Sequence, residues 1–187
     1  MPGVNQIPVR TNIGLGFAKI LRSVLRQDPD IIMIGEIRDA ETAQVAVQAS
    51  LTGHLVLSTA HTNSATAAIT RLRDLGIEDY LLALSLRAVI AQRLVRKLCP
   101  ACDSRANCAS PCRTSQGHGY SGRTSVYELL EISPRLQKAI AAGTSDLELL
   151  GLAKLEGFSS LSEHGQKLIE AGVTSRSEVD RAVAAVE

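Results

Sequence analysis

The stretch Ile31–Asp39, IIMIGEIRD, decides the fold of this chain. Ile31, Ile32, Met33 and Ile34 form a short, largely β-branched apolar run, which predicts a strand buried on both faces, as in a parallel sheet. Glu36 then arrives at the carboxyl end of that strand, where open parallel α/β sheets bind their ligands. A carboxylate in that position can orient or deprotonate a water that attacks a phosphoryl group. Arg38, two residues on, can balance the charge that develops on the phosphate. The same residues also read, more plainly, as a strand that ends in a solvated charged turn.

Upstream, Gly16–Gln27 (GFAKILRSVLRQ) places Phe17, Ile20, Leu21, Val24 and Leu25 on one helical face and Lys19, Arg22 and Arg26 on another. Asp28-Pro29-Asp30 stops that helix, because the residue before a proline avoids the α region. Downstream, Asp39–Leu51 predicts a second helix, with Asp39 as N-cap and Glu41 in the first turn. Leu55–Leu57 is a second apolar strand, Ser58–Ser64 a polar loop, and Ala65–Leu75 a helix closed by Gly76. Strand, helix, strand, helix over residues 31–76 indicates an open parallel α/β sheet.

The second strand belongs to a second signal, GHLVLSTAHTN (Gly53–Asn63). A parallel neighbour brings its polar end, with Ser58, Thr59, His61, Thr62 and Asn63, beside Glu36. His61 can contact or sense a phosphate, or transfer a proton. The alternative is a histidine satisfied by loop backbone. His54, at the other end of the strand, reads as structural.

Beyond Gly76, Glu78–Leu98 predicts one long helix, and Cys99–Gly122 a loop holding all four cysteines. From Arg123 onward the pattern reads as helical, with helices at Pro134–Ala142, Asp146–Glu156, Ser162–Ala171 and Arg176–Val186. Ser133, Ser145, Ser160 and Ser175 stand at or near their starts as caps. The resulting division is 1–98, 99–122 and 123–187.

Composition removes several classes of protein. With 45% apolar and 21% charged residues, the 187-residue chain is neither disordered nor collagen-like. Arg87 and Arg93 interrupt the apolar stretch Leu81–Val95, and no run reaches the roughly 18–20 residues of a membrane span. Met1–Arg10 lacks the apolar core of a secretory signal, so the expected compartment is the cytosol. The net charge of +1 conceals a basic middle: residues 87–123 carry seven Lys/Arg against one acid. That patch reads as a wet helix face, an anion site or a nucleic-acid surface. Only 3% of the residues are aromatic, none of them Trp, which disfavours base stacking and hence nucleic acid.

Cys99-x2-Cys102 has zinc-knuckle spacing, and Cys108-x3-Cys112 supplies a second pair. Four thiolates suit tetrahedral Zn²⁺, and a reducing compartment argues against disulfides. The alternatives are four reduced thiols without metal, or His118 as a substitute ligand.

Taken together, LRSVLRQDPDIIMIGEIRDAETAQVAVQASLTGHLVLSTAHTNSA, AITRLRDLGI, IAQRLVRKLCPAC and GYSGRTSVYELL resemble, in order, blocks of the secretion ATPase superfamily. The closest resemblance is to the type II secretion ATPases of the general secretory pathway E group and the type IV pilus assembly ATPases. It covers roughly residues 1–132, and more loosely the tail. It implies a RecA-like P-loop ATPase core with a parallel sheet, a four-cysteine zinc subdomain and a C-terminal helical subdomain. It also implies a homo-hexamer that hydrolyses ATP with Mg²⁺ at the cytoplasmic face of the inner membrane. The partners implied are inner-membrane platform and cytoplasmic-domain proteins of a secretion or pilus machine. By this resemblance Glu36 falls on the Walker B glutamate and His61 on the histidine of the His box. Arg22, Arg26, Arg38 and Arg123 match arginines of nucleotide contact or subunit coupling, and Cys99, Cys102, Cys108 and Cys112 match the zinc ligands. In the family a longer insert usually separates two C-x2-C pairs, whereas here the insert is five residues and the second pair has x3 spacing.

A further departure concerns the phosphate cradle. No G-x-x-x-x-G-K-[ST] occurs in these 187 residues, and no Lys-Ser/Thr follows Gly14-Leu15-Gly16. The Walker A loop supplies the backbone cradle, the phosphate lysine and the Mg²⁺-binding hydroxyl. The family's Asp box is also missing, and MPGVNQIPVR resembles the segment just after it. The chain therefore reads as the C-terminal part of a longer ATPase, inactive alone. The rival reading is a non-enzymatic assembly or zinc-binding module.

Overall fold

The computed structural model describes residues 3–102, 112 and 114–184. The chain divides into two compact units. The first contains Met1–His61, Ala68–Arg87 and Ile132–Asp146; the second contains Thr62–Ala67, Ala88–Glu131 and Leu147–Glu187.

The first unit is built on two parallel strands, β1 (Ile31–Ile34) and β2 (Leu55–Ser58), in the register Ile31↔Leu55 to Ile34↔Ser58. Helix α1 (Phe17–Val24) runs into a tight 3-10 turn, Leu25–Gln27, which ends at Asp28 in the left-handed region ahead of Pro29. Helix α2 (Ala40–Leu51) starts where the sequence predicts, with the Asp39 carboxylate accepting from the Thr42 amide at 2.8 Å. His54 is structural, its Nδ1 lying 3.0 Å from the Ala49 carbonyl at the end of α2. Ala18 and Leu21 of α1, Val45, Ala46 and Ala49 of α2, and Ile32 and Ile34 of β1 form one apolar core.

The strands are therefore covered on one face only, which corrects the expectation of double burial. Ile32 and Ile34 are buried, whereas Ile31, Met33, Leu55 and Leu57 are exposed. A four-residue apolar run suits either situation, and both helices lie on the Ile32/Ile34 side. The same unit holds most of α3 (Ala65–Asp74), together with α4 (Asp79–Ser85) and α5 (Pro134–Ala141). Helix α4 packs on α2 and α5, and Leu82 of α4 and Leu136 and Ile140 of α5 are buried. Ser133 caps α5 by accepting from the Leu136 amide.

The second unit contains a long antiparallel hairpin, β3 (Ala88–Leu98) and β4 (Tyr120–Glu131), paired from Ala88↔Glu131 to Leu98↔Tyr120 with a register shift after Arg96. This corrects two expectations at once: Glu78–Leu98 is not one helix, and the chain after Arg123 is strand before it is helix. Helix α4 ends at Ser85, and Leu86 is already extended. From there Val89, Ala91, Val95 and, across the hairpin, Val126, Glu128 and Leu130 turn inward with period 2, which β-branched Val and Thr favour.

Helix α6 (Asp146–Leu155) is followed by α7 (Leu161–Glu170) and α8 (Arg176–Ala184). Helix α7 packs on β4 and α8 on β3, and Val95, Val126, Leu161 and Ala182 form the shared core. Ser160 and Glu163 complete a reciprocal capping box at the start of α7, and Ser175 accepts from the Glu178 amide at the start of α8. No described helix is long and apolar enough to cross a membrane.

Candidate functional site

The parallel register brings the carboxyl ends of β1 and β2 to the same level, and the residues just beyond them meet. Thr59 holds the two exits together: its hydroxyl donates to the Gly35 carbonyl at 2.5 Å, and its carbonyl accepts from the Ile37 amide at 3.3 Å. Glu36 leaves β1 with its side chain three-quarters buried. Its Oε2 lies 2.7 Å from Arg38 Nε and 3.4 Å from His61 Nε2. Carboxylate, guanidinium and imidazole thus converge at the ligand-binding edge of a parallel sheet. Arg38 and His61 are mostly exposed, so each is open to a second partner. The arrangement can hold a water against Glu36 and present two cationic or donor groups to an anion.

The remaining predicted arginines do not join this group. Arg22 pairs with Glu41 across α1 and α2 at 2.8 Å. Arg26 lies in the 3-10 turn that ends α1. Arg123 belongs to the second unit, opposite Arg96 in the β3–β4 register.

In the second unit the sulfurs of Cys99, Cys102 and Cys112 lie within 4.8 Å of one another. Cys99 and Cys112 are 3.9 Å apart. Zinc–sulfur bonds of about 2.3 Å in a tetrahedron separate ligand sulfurs by about 3.8 Å, so this spacing fits one metal ion. The base of β3 places Cys99, whose amide donates to the Gly119 carbonyl, and a 3-10 turn, Pro100–Cys102, brings Cys102 round to it. The Ser115 amide, helped by its hydroxyl, pulls the Cys112 thiol down to about 6, a donor pattern that favours the metal-binding thiolate. Cys108 lies outside the described residues. His118 is not part of the sulfur group.

Two buried acids escaped the sequence reading. Glu178, in the first turn of α8, has a side chain 2% exposed. It pairs with Arg96 at 2.6 Å and with Arg181 at 3.0 Å, and also accepts from the Arg96 amide. These bonds, that to the Arg96 side chain foremost, hold its carboxyl down at about 2. Glu128 of β4 is buried among backbone amides. Both lie in segments that read as helical surface, where an acid ordinarily faces water; only the period-2 pattern of TSVYELLE points Glu128 inward.

The fold agrees with what comparison with known proteins finds. The family model described as "Type II/IV secretion system protein" matches residues 1–181. The type II secretion system protein HxcR of Pseudomonas aeruginosa is 49% identical over 184 residues, covering 97% of this chain and 39% of its own length. The type IV pilus assembly ATPase PilB of Acinetobacter baylyi is 41% identical over 204 residues, covering 97% of this chain and 35% of its own. The chain belongs to the type II/IV secretion system protein family, and it spans well under half the length of these relatives.

Among solved structures, the pilus retraction motor PilT with bound ADP superposes with a TM-score of 0.70 at 29% identity, over 89% of this chain and 43% of that one. The Yersinia pseudotuberculosis ATPase DotB superposes with a TM-score of 0.73 at 25% identity, over 96% of this chain and 42% of that one.

Proposed function

We propose that this chain is the C-terminal motor portion of a hexameric secretion ATPase, which couples ATP hydrolysis to type II protein secretion or type IV pilus assembly. The observation that carries the reading is the convergence of Glu36, Arg38 and His61 at the carboxyl ends of β1 and β2. In the complete enzyme Glu36 orients the attacking water and accepts its proton, while His61 and Arg38 meet the phosphate as its charge develops. Arg22, Arg26 and Arg123 serve nucleotide contact or coupling between subunits. ATP with Mg²⁺ supplies the phosphoryl group. The phosphate cradle is not among these residues, so the chain alone does not turn ATP over.

On the same reading, residues 1–98 form part of the RecA-like core, 99–122 a zinc subdomain and 123–187 a tail. Zn²⁺ is held by Cys99, Cys102 and Cys112, with Cys108 as fourth thiolate. The motor works on the cytoplasmic face of the inner membrane against a platform protein. The names and sequence matches of the relatives support this assignment.

The test is a titration with labelled ATP and Mg²⁺ of this chain beside a form extended upstream through a Walker A loop. Binding by the extended form alone is the expected result. Tight binding by the chain itself contradicts the assignment of Glu36 and His61.

A further inference from the structure

Glu36 stands in a short link between the end of β1 at Ile34 and Asp39, the N-cap of α2. Its carboxylate lies against Arg38 and His61, and both of those side chains are mostly exposed. Exposed ion pairs are weak, because long side chains lose entropy when held in one geometry. Neither partner therefore fixes where the carboxylate points, and that task falls to the backbone on either side of Glu36.

The backbone leaves the regular ladder at this point. In a parallel pair the bonds are evenly spaced, so the amide and carbonyl of one residue bracket a single residue of the neighbour. Leu55 stands opposite Ile31, and its amide donates to the Asp30 carbonyl. Carried on in the same register, the Thr59 carbonyl would take the amide of Glu36. It takes that of Ile37 instead, one residue later, at 3.3 Å. Gly35 and Glu36 thus both stand opposite Thr59, the two-against-one count by which a β-bulge re-aims a side chain.

Thr59 also holds the slip in place. Its hydroxyl donates at 2.5 Å to the Gly35 carbonyl, which belongs to the peptide group just before the Glu36 Cα. Its own carbonyl accepts from the Ile37 amide, which belongs to the peptide group just after. Peptide groups are planar, so gripping the two that flank a residue sets both of its soft dihedrals. All of these residues belong to the first unit.

We propose that Thr59 is a positioning residue for Glu36: by clasping the two flanking peptide groups, it sets the backbone angles of Glu36 and so the direction of its carboxylate. This rests on the reading of Glu36 as the group that orients the attacking water.

Two measurements test it. Thr59→Val keeps the shape of the side chain and removes the donor, whereas Thr59→Ser keeps the donor. In the chain itself, Thr59→Val speeds hydrogen exchange of the Ile37 amide about five-fold, as the loss of one hydrogen bond implies, and Thr59→Ser leaves it near the original rate. In the complete enzyme, Thr59→Val lowers kcat at least ten-fold with ATP affinity unchanged, Thr59→Ser restores most of it, and Thr59→Val adds little to the effect of Glu36→Gln. Unchanged exchange, unchanged kcat, a Thr59→Ser variant as slow as Thr59→Val, or full additivity with Glu36→Gln overturns the proposal and leaves the ATPase reading intact. Thr59→Ala takes the place of Thr59→Val if the latter does not fold. If neither folds, the Ile37 amide of the unsubstituted chain decides: exchange at least ten-fold slower than that of an open loop amide supports the clasp, and exchange at the open rate overturns it. Glu36→Gln is also measured alone, and its turnover at the wild-type rate refutes the ATPase reading, and the proposal with it.

Discussion

Glu178 ties α8 to β3 through charge, and acid should undo that tie in a defined window. Its carboxylate is buried and accepts from the Arg96 side chain, the Arg96 amide and Arg181. These bonds keep its carboxyl ionised down to about 2, against 4.5 for an unperturbed glutamate. A folded-state pKa below the unfolded one stabilises the fold above the unfolded value, and the contribution is lost as pH falls toward the folded value. The full difference is worth roughly 3 kcal/mol at pH 7, an upper figure because Arg96 and Arg181 are half exposed and screened. By pH 3 less than about half of it remains. The assay is urea unfolding of the chain and of Glu178→Gln at a series of pH values, followed by circular dichroism. The chain should be the more stable at neutral pH, with the gap narrowing steadily below pH 4.5. A gap of equal size at pH 7 and pH 3 refutes the argument, because a purely steric effect of the substitution does not titrate.

Three further outcomes follow from the same structure. Gly165 in α7 faces Val179 of α8, and a Cβ added there runs into the valine side chain. Gly165→Ala should therefore lower the melting temperature by an overpacking cost of about 1–3 kcal/mol, outweighing the gain of up to about 1 kcal/mol in helix propensity. The chain should bind about one Zn²⁺ by elemental analysis, and Cys99→Ser should lose it; equal metal content in both sinks the thiol site. Met33 is 74% exposed on the open face of β1 beside Ile31, Leu55 and Leu57. The chain should therefore self-associate through this apolar face, and Met33→Lys should weaken that association at least ten-fold in sedimentation, the equivalent of roughly 1.5–3 kcal/mol of apolar burial.

The first unit was legible where local signals agree with one another. Pro29 follows the end of the helical stretch formed by α1 and its 3-10 turn, Asp39 caps α2, and IIMI and LVL leave little choice but strand, so the sequence alone sets Glu36 and His61 side by side. The hairpin was not, because Leu81 to Val95 satisfies the helical period about as well as it satisfies alternation. What decides it is the partner strand some thirty residues away, whose Val126, Glu128 and Leu130 complete the inner face. Long-range pairing of this kind overrides local propensity. Glu128 and Glu178 went unseen for the same reason: an acid reads as surface until the amides and guanidinium groups that satisfy it are in place. The cysteines are a middle case. Spacing named the candidates, and the turn at Pro100–Cys102 supplies the approach of three sulfurs that spacing alone leaves open.

The central claim, that Glu36 positions the attacking water, is tested most directly by Glu36→Gln in the complete enzyme, with nucleotide affinity and steady-state turnover measured on the same preparation. The account predicts unchanged ATP affinity and turnover lowered by at least about 100-fold, in keeping with the loss of a general base. Turnover within a few-fold of the unsubstituted enzyme contradicts it.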